Sequence, residues 1–150
     1  MKKASIIIVC VLVAIQFIRI DKTNLPVDTS QDYVSLTHAP DQVASILKRA
    51  CYDCHSNQVK YPWYTQVAPV SWYIKSHVNN GKEFLNFSEF GKYNTYQKEH
   101  IYKGLVSSTE RGTMPLDSYL WVHKEAILTP QDRNILLEWF NTFIPEDSKQ

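Results

Sequence analysis

The residues whose types and spacing can do chemistry are Cys51-Tyr52-Asp53-Cys54-His55. Two thiols separated by two residues lie one helical turn apart. From there they reach the two vinyl groups on one edge of a porphyrin and can form thioethers. The histidine that follows then faces the ring centre, where its imidazole nitrogen can bind iron. The spacing therefore predicts one covalently attached haem c, held by Cys51 and Cys54, with His55 as proximal iron ligand. Other uses of a Cys-x-x-Cys pair fit less well. A redox dithiol belongs at the head of a helix in a βαβ setting, which the sequence does not offer. A structural zinc needs four protein ligands, and no second cysteine pair is present. A disulfide across two intervening residues is strained.

A second iron ligand has one thioether candidate inside the chain. Met1 and Met114 are the only methionines. Met114 lies well after the haem motif and just before the last helix, in Gly112-Thr113-Met114-Pro115-Leu116, where the proline stiffens the loop. Met114 is expected as the distal ligand, with His123, His100 and His77 as rivals and gap-filling in the core as the alternative use. His38 reads as a surface histidine.

These residues need elements to position them. Pro40 and Asp41 suit a helix start, and Val43, Ile46, Leu47 and Ala50 make one apolar face leading directly into Cys51. A second helix is expected from Pro69 to Asn80, with Gly81 as its stop. It carries Trp72, Tyr73 and His77, either as a wall beside the porphyrin or as plain core packing. Leu85 to Phe90 reads as a connector. Asn94 and Gln97 form a capping box for a third helix with Ile101, Leu105 and Tyr102 inward, weakened by Gly104 and ending at Thr109 to Gly112. Thr129, Pro130 and Asp132 open the last helix, whose stripe is Ile135, Leu136, Trp139, Phe140 and Phe143 and whose stop is Pro145.

The N-terminus has a different character. Lys2 and Lys3 precede an apolar run from Ala4 to Ile18, with no small-x-small cleavage site at its end. Extended to Ile20, the run just reaches the length a bilayer requires. Residues 1–20 are thus expected as a signal peptide or, preferentially, an uncleaved signal anchor, with Cys10 carrying no chemistry. Residues 21–39 read as a tether, 40–145 as the haem-binding domain and 146–150 as a tail. Lys2 and Lys3 would stay cytoplasmic, placing the domain on the periplasmic side of an inner membrane.

A formal net charge of +1 with interspersed signs argues against nucleic acid as a partner. Nine Tyr, six Phe and four Trp against four Gly describe a packed domain instead of a disordered linker.

Several runs together resemble the small bacterial haem-binding domain family, from about Pro40 to Trp139. They are Cys51 to Asn57, Tyr61-Pro62-Trp63-Tyr64, Ala68-Pro69-Val70-Ser71-Trp72, Leu85 to Glu89 and Met114 to Tyr119. Leu116 and Lys124 stand where that family often has prolines, and neither is a proposed ligand. The resemblance implies an exported haem c protein. The expected fold is all-α, a small cytochrome c-like helical domain around one haem, preceded by a membrane helix. The expected function is that of a membrane-tethered single-haem electron carrier with His/Met ligation, serving a redox partner protein. Its alternatives are a haem-based sensor or small-ligand binder and, behind these, a thiol-disulfide redox protein. No distal acid–base constellation marks an enzyme.

Overall fold

A computed structural model describes residues 2–146. The described chain is all-α: its regular elements are α-helices and short 3-10 turns, with no strand among the described residues. The helices are α1 (Lys2–Ala14), α2 (Tyr33–Thr37), α3 (Asp41–Ala50), α4 (Tyr52–His55), α5 (Val70–Phe84), α6 (Thr95–Arg111), α7 (Asp117–Leu120) and α8 (Pro130–Asn141). Of the expected 146–150 tail, all but Glu146 lies outside the described residues.

Local chemistry sets the ends of the long helices. Asn94 accepts from the Gln97 amide while the Gln97 side chain returns to the Asn94 amide, and Gly112 closes α6 in the left-handed conformation at φ 64°. At α8, Thr129 and Asp132 make the same reciprocal box, with Pro130 in the first turn. Both helices start where the sequence places them. The second helix does not stop where expected: α5 continues through Gly81 to Phe84. A glycine ends a helix only where the backbone turns left-handed, and here a different demand fixes the residue.

The core joins α3, α6 and α8 to the segments around α2 and the 3-10 run Phe87–Lys92. Val43, Ile46 and Leu47 from α3 are buried with Leu136 and Phe140 from α8, as the apolar stripes predict. Arg49 ties the same two helices electrostatically, at 2.7 Å from Asp132. It also donates to the carbonyls of Glu125 and Ile127.

Residues 21–39, read from the sequence as a tether, pack onto the domain. Tyr33 is fully buried, edge-on to Phe87 and Phe90, and its hydroxyl accepts from the Trp139 indole at 3.0 Å. Asp32 caps α2 and accepts from the Tyr52 hydroxyl at 3.1 Å. The low periodicity of this segment conceals it, because a single aromatic residue supplies most of its burial.

The apolar N-terminal run is helical but short. α1 has 13 residues, none of them buried, and spans about 20 Å. No helix among the described residues is long and apolar enough to cross a membrane. The run does not continue as helix to Ile20. After a 3-10 turn at Ile15–Phe17, Gln16 makes a reciprocal pair of 3.0 Å hydrogen bonds with the backbone of Ala68. Arg19 donates to the Gln66 carbonyl, and the Trp72 indole donates to the Ile18 carbonyl. These partners draw residues 16–19 onto the domain surface.

Candidate functional site

The haem motif sits at the junction of α3 and α4. The amides of Cys54 and His55 both bond to the Cys51 carbonyl, at 3.2 and 3.0 Å, so the five residues form one tight turn. Behind the turn, two polar runs clasp each other. Ser56 returns its hydroxyl to the Tyr52 carbonyl at 2.7 Å. The Asn57 amide donates to the Ser88 hydroxyl, and Asn86 donates to the Asn57 side-chain oxygen at 2.9 Å. Asn57, Asn86 and Ser88 are all buried. Buried polar groups with their partners satisfied specify one arrangement, since any other leaves donors orphaned. The stretch expected as a mere connector is thus the other half of the motif's mounting.

That mounting orients His55. Its Nδ1 lies 3.1 Å from the Leu85 carbonyl oxygen. A carbonyl only accepts, so Nδ1 carries the proton and Nε2 presents its lone pair. Burial pushes the His55 imidazole below its ordinary value, outweighing the Leu85 and Gly81 backbone groups that favour the charged form. The ring is favoured in its neutral form, the form in which an imidazole can bind a metal. The reason for Gly81 is then evident: a Cβ there would lie 3.2 Å from His55 Cε1 and 3.5 Å from Nδ1. The glycine is a flat seat for the imidazole inside α5.

Cys51, Cys54 and His55 line a cavity of about 440 Å³. Phe84, Phe87, Leu105, Leu128, Leu136 and Phe140 supply much of its apolar wall. Met114 lines it as well, from the loop between α6 and α7, with the buried Pro115 beside it. The four expected site residues, 63 positions apart in sequence at their widest from Cys51 to Met114, therefore border one space. His77 also borders it, from one turn before Gly81 on α5. Its Nδ1 is bonded to the Tyr73 carbonyl at 2.9 Å. The other rivals stand apart. Both ring nitrogens of His123 are engaged, by Tyr64 and Glu125. His100 packs against Phe84 outside the lining. Trp72 turns to the N-terminal segment and does not wall this cavity.

Burial pushes the Cys51 thiol up to about 12 and the Cys54 thiol up to about 11. Both thiols are free. A thiol-exchange site needs the opposite shift, because the thiolate is the nucleophile. The groups present fit a porphyrin instead: two sulfurs at one edge, a neutral imidazole with its acceptor nitrogen unspent, a thioether, and an apolar enclosure.

Sequence reading missed the roles of Gly81 and the Leu85 carbonyl, and the polar chains Tyr119–Asp53 and Tyr64–His123–Glu125. The paired small polar runs Ser56-Asn57 and Asn86-Phe87-Ser88 were the available signal for the clasp.

Searches among curated proteins and among solved structures return no match. The haem-binding domain family matches residues 10–142, most of the chain and all four residues named above, and the protein belongs to that family.

Proposed function

We propose that this haem-binding protein holds one haem c covalently through Cys51 and Cys54 and serves as a membrane-tethered, single-haem electron carrier of cytochrome c-like design. The single observation that carries this reading is His55, seated on Gly81 and bonded through Nδ1 to Leu85, lining the same cavity as both thiols. When bound, haem c supplies a one-electron couple at its iron. The residues do the rest. His55 gives the proximal nitrogen, and the carbonyl behind it raises the ligand's basicity. Met114 gives the distal sulfur from a separate element, whereas His77 shares α5 with the seat of His55. The phenyl and leucyl walls exclude water, which favours a small change in solvation between the two charge states. Lys2, Lys3 and the exposed apolar run after them support anchoring at an inner membrane with the domain on the periplasmic side, the redox partner being another protein.

The test is spectroscopic. Haem that stays on the chain in a denaturing gel is expected, together with a far-red ferric thioether band that Met114→Ala removes. A colourless chain after expression with the cytochrome c maturation system overturns the covalent assignment. An intact band in Met114→Ala overturns the ligand assignment.

One observation favours a second reading. Met114 is 41% exposed, more open than a gap-filling methionine. A distal sulfur that swings out would leave room for a small gas, as in a haem-based sensor. Fast carbon monoxide binding by the reduced wild-type protein is the expected mark of that alternative.

A further inference from the structure

A second groove, of about 390 Å³, runs beside the His55 cavity. Its walls are flat and apolar: Trp63, Tyr64, Tyr73 and Trp121, with Ile74 and Val122. Trp63 and Trp121 are 79% and 75% exposed. Large aromatic faces left in water form the kind of patch that marks a binding surface. The two cavities share Asp53, Cys54, His77, Leu116 and Tyr119, so whatever fills the groove lies against the haem motif.

One polar chain reaches this groove through Tyr64. Glu125 lies 2.9 Å from His123 Nδ1, and the Tyr64 hydroxyl lies 2.6 Å from His123 Nε2. The Tyr119 ring stacks on His123 at 4.1 Å and 11°, holding the imidazole in plane. The backbone amide of Glu125 and the His123 ring hold the Glu125 carboxyl below its ordinary value, so it is ionised and only accepts. In the uncharged form of the imidazole the proton then lies on Nδ1, facing Glu125, and Nε2 accepts from the Tyr64 hydroxyl. With its own proton spent on His123, the Tyr64 oxygen has only lone pairs left to offer. The neighbouring carboxylate has partners of its own: Asp53 accepts from the Tyr119 hydroxyl at 2.9 Å and pairs with Lys60 at 3.8 Å.

We propose that this groove binds a planar apolar molecule bearing a hydroxyl donor, a phenol or hydroquinone, packed between the aromatic side chains with its O–H given to the Tyr64 oxygen. Mostly apolar pockets of this size with a few placed polar groups are the usual form of a small-molecule site. An acyl-chain surface laid over Trp63 and Trp121 would cover the aromatic faces and supply no donor to that acceptor.

The experiment compares β-naphthol with its methyl ether on the reduced haem-loaded protein at mildly alkaline pH. Binding is followed by the indole N–H resonances of Trp63 and Trp121, with the haem absorption band monitored in parallel. β-Naphthol is expected to shift both indole signals, leave the haem band in place and bind about tenfold more tightly than the ether, the worth of one hydrogen bond. In Tyr64→Phe that preference is expected to vanish while the ether binds as before. Equal affinities in the wild type, no indole shift up to the solubility limit, or a moving haem band would each overturn the proposal. The indole signals answer independently of which residues prove to ligate iron.

Discussion

At the scale of single residues, Cys51, Cys54, His55 and Met114, which line one cavity and are proposed to hold haem, stand out in the sequence because such chemistry requires particular side chains. The parts that make His55 usable do not. Leu85 contributes a backbone carbonyl, which any residue carries, and Gly81 contributes the lack of an atom. In a linear reading, glycine after an apolar helix means a stop. Only the close approach of the imidazole shows that it means a seat. Gly81→Ala places a Cβ at 3.2 Å from His55 Cε1, tighter than ordinary contact. Alanine favours the helix by about 1 kcal/mol, while crowding a packed ring costs about 1–3 kcal/mol. A near-neutral or lower denaturation midpoint is expected, with a shifted reduction potential as the ring tilts. An unchanged potential in a folded Gly81→Ala protein would show that the seat does not orient the ligand.

At the scale of elements, α6 and α8 were legible because capping boxes are side-chain statements, and the apolar stripe of α3 and α8 follows from spacing alone. The 3-10 run at Phe87–Lys92 has no period to read and was visible only as polar residues between aromatics. Asp132 serves two elements at once, closing the α8 box and pairing with Arg49 of α3. Burial pushes its carboxyl up, but the Thr129 hydrogen bonds and Arg49 outweigh this and hold it below its ordinary value of 3.8. A lowered carboxyl contributes stability that is present above the unfolded-state value and is lost as pH falls through the folded-state value. Asp132→Ala is therefore expected to cost about 1–2 kcal/mol near neutral pH. The difference should shrink towards that of the uncharged cap as pH drops below about 3.8, the ordinary carboxyl value. Urea denaturation of both proteins at neutral and acidic pH checks the sign.

At the scale of the whole molecule, the boundary drawn at Pro40 falls inside the packed unit. Tyr33 touches Phe87 and Phe90 and accepts from Trp139, so it bridges the segment before α3 to the last helix. Tyr33→Ala is expected to destabilise by about 3–5 kcal/mol, as for other large-to-small changes of buried aromatic residues. Removing residues 1–14 is expected to leave the denaturation midpoint unchanged, because α1 buries nothing. Equal effects of the two changes would restore the tether. This boundary was hard to read because one aromatic side chain among polar neighbours looks the same whether it is packed or loose.

The sulfur environment also bears on how such a chain must be made. Cys51 and Cys54 are half-enclosed, and burial keeps their protons on. The wall that encloses them is completed by residues as late as Phe140. During synthesis the Cys54 thiol emerges before that wall is finished, 86 positions ahead of Phe140. If haem c is attached as proposed, its attachment has a natural order, in which thioether formation proceeds on an open polypeptide and folding shuts the door afterwards.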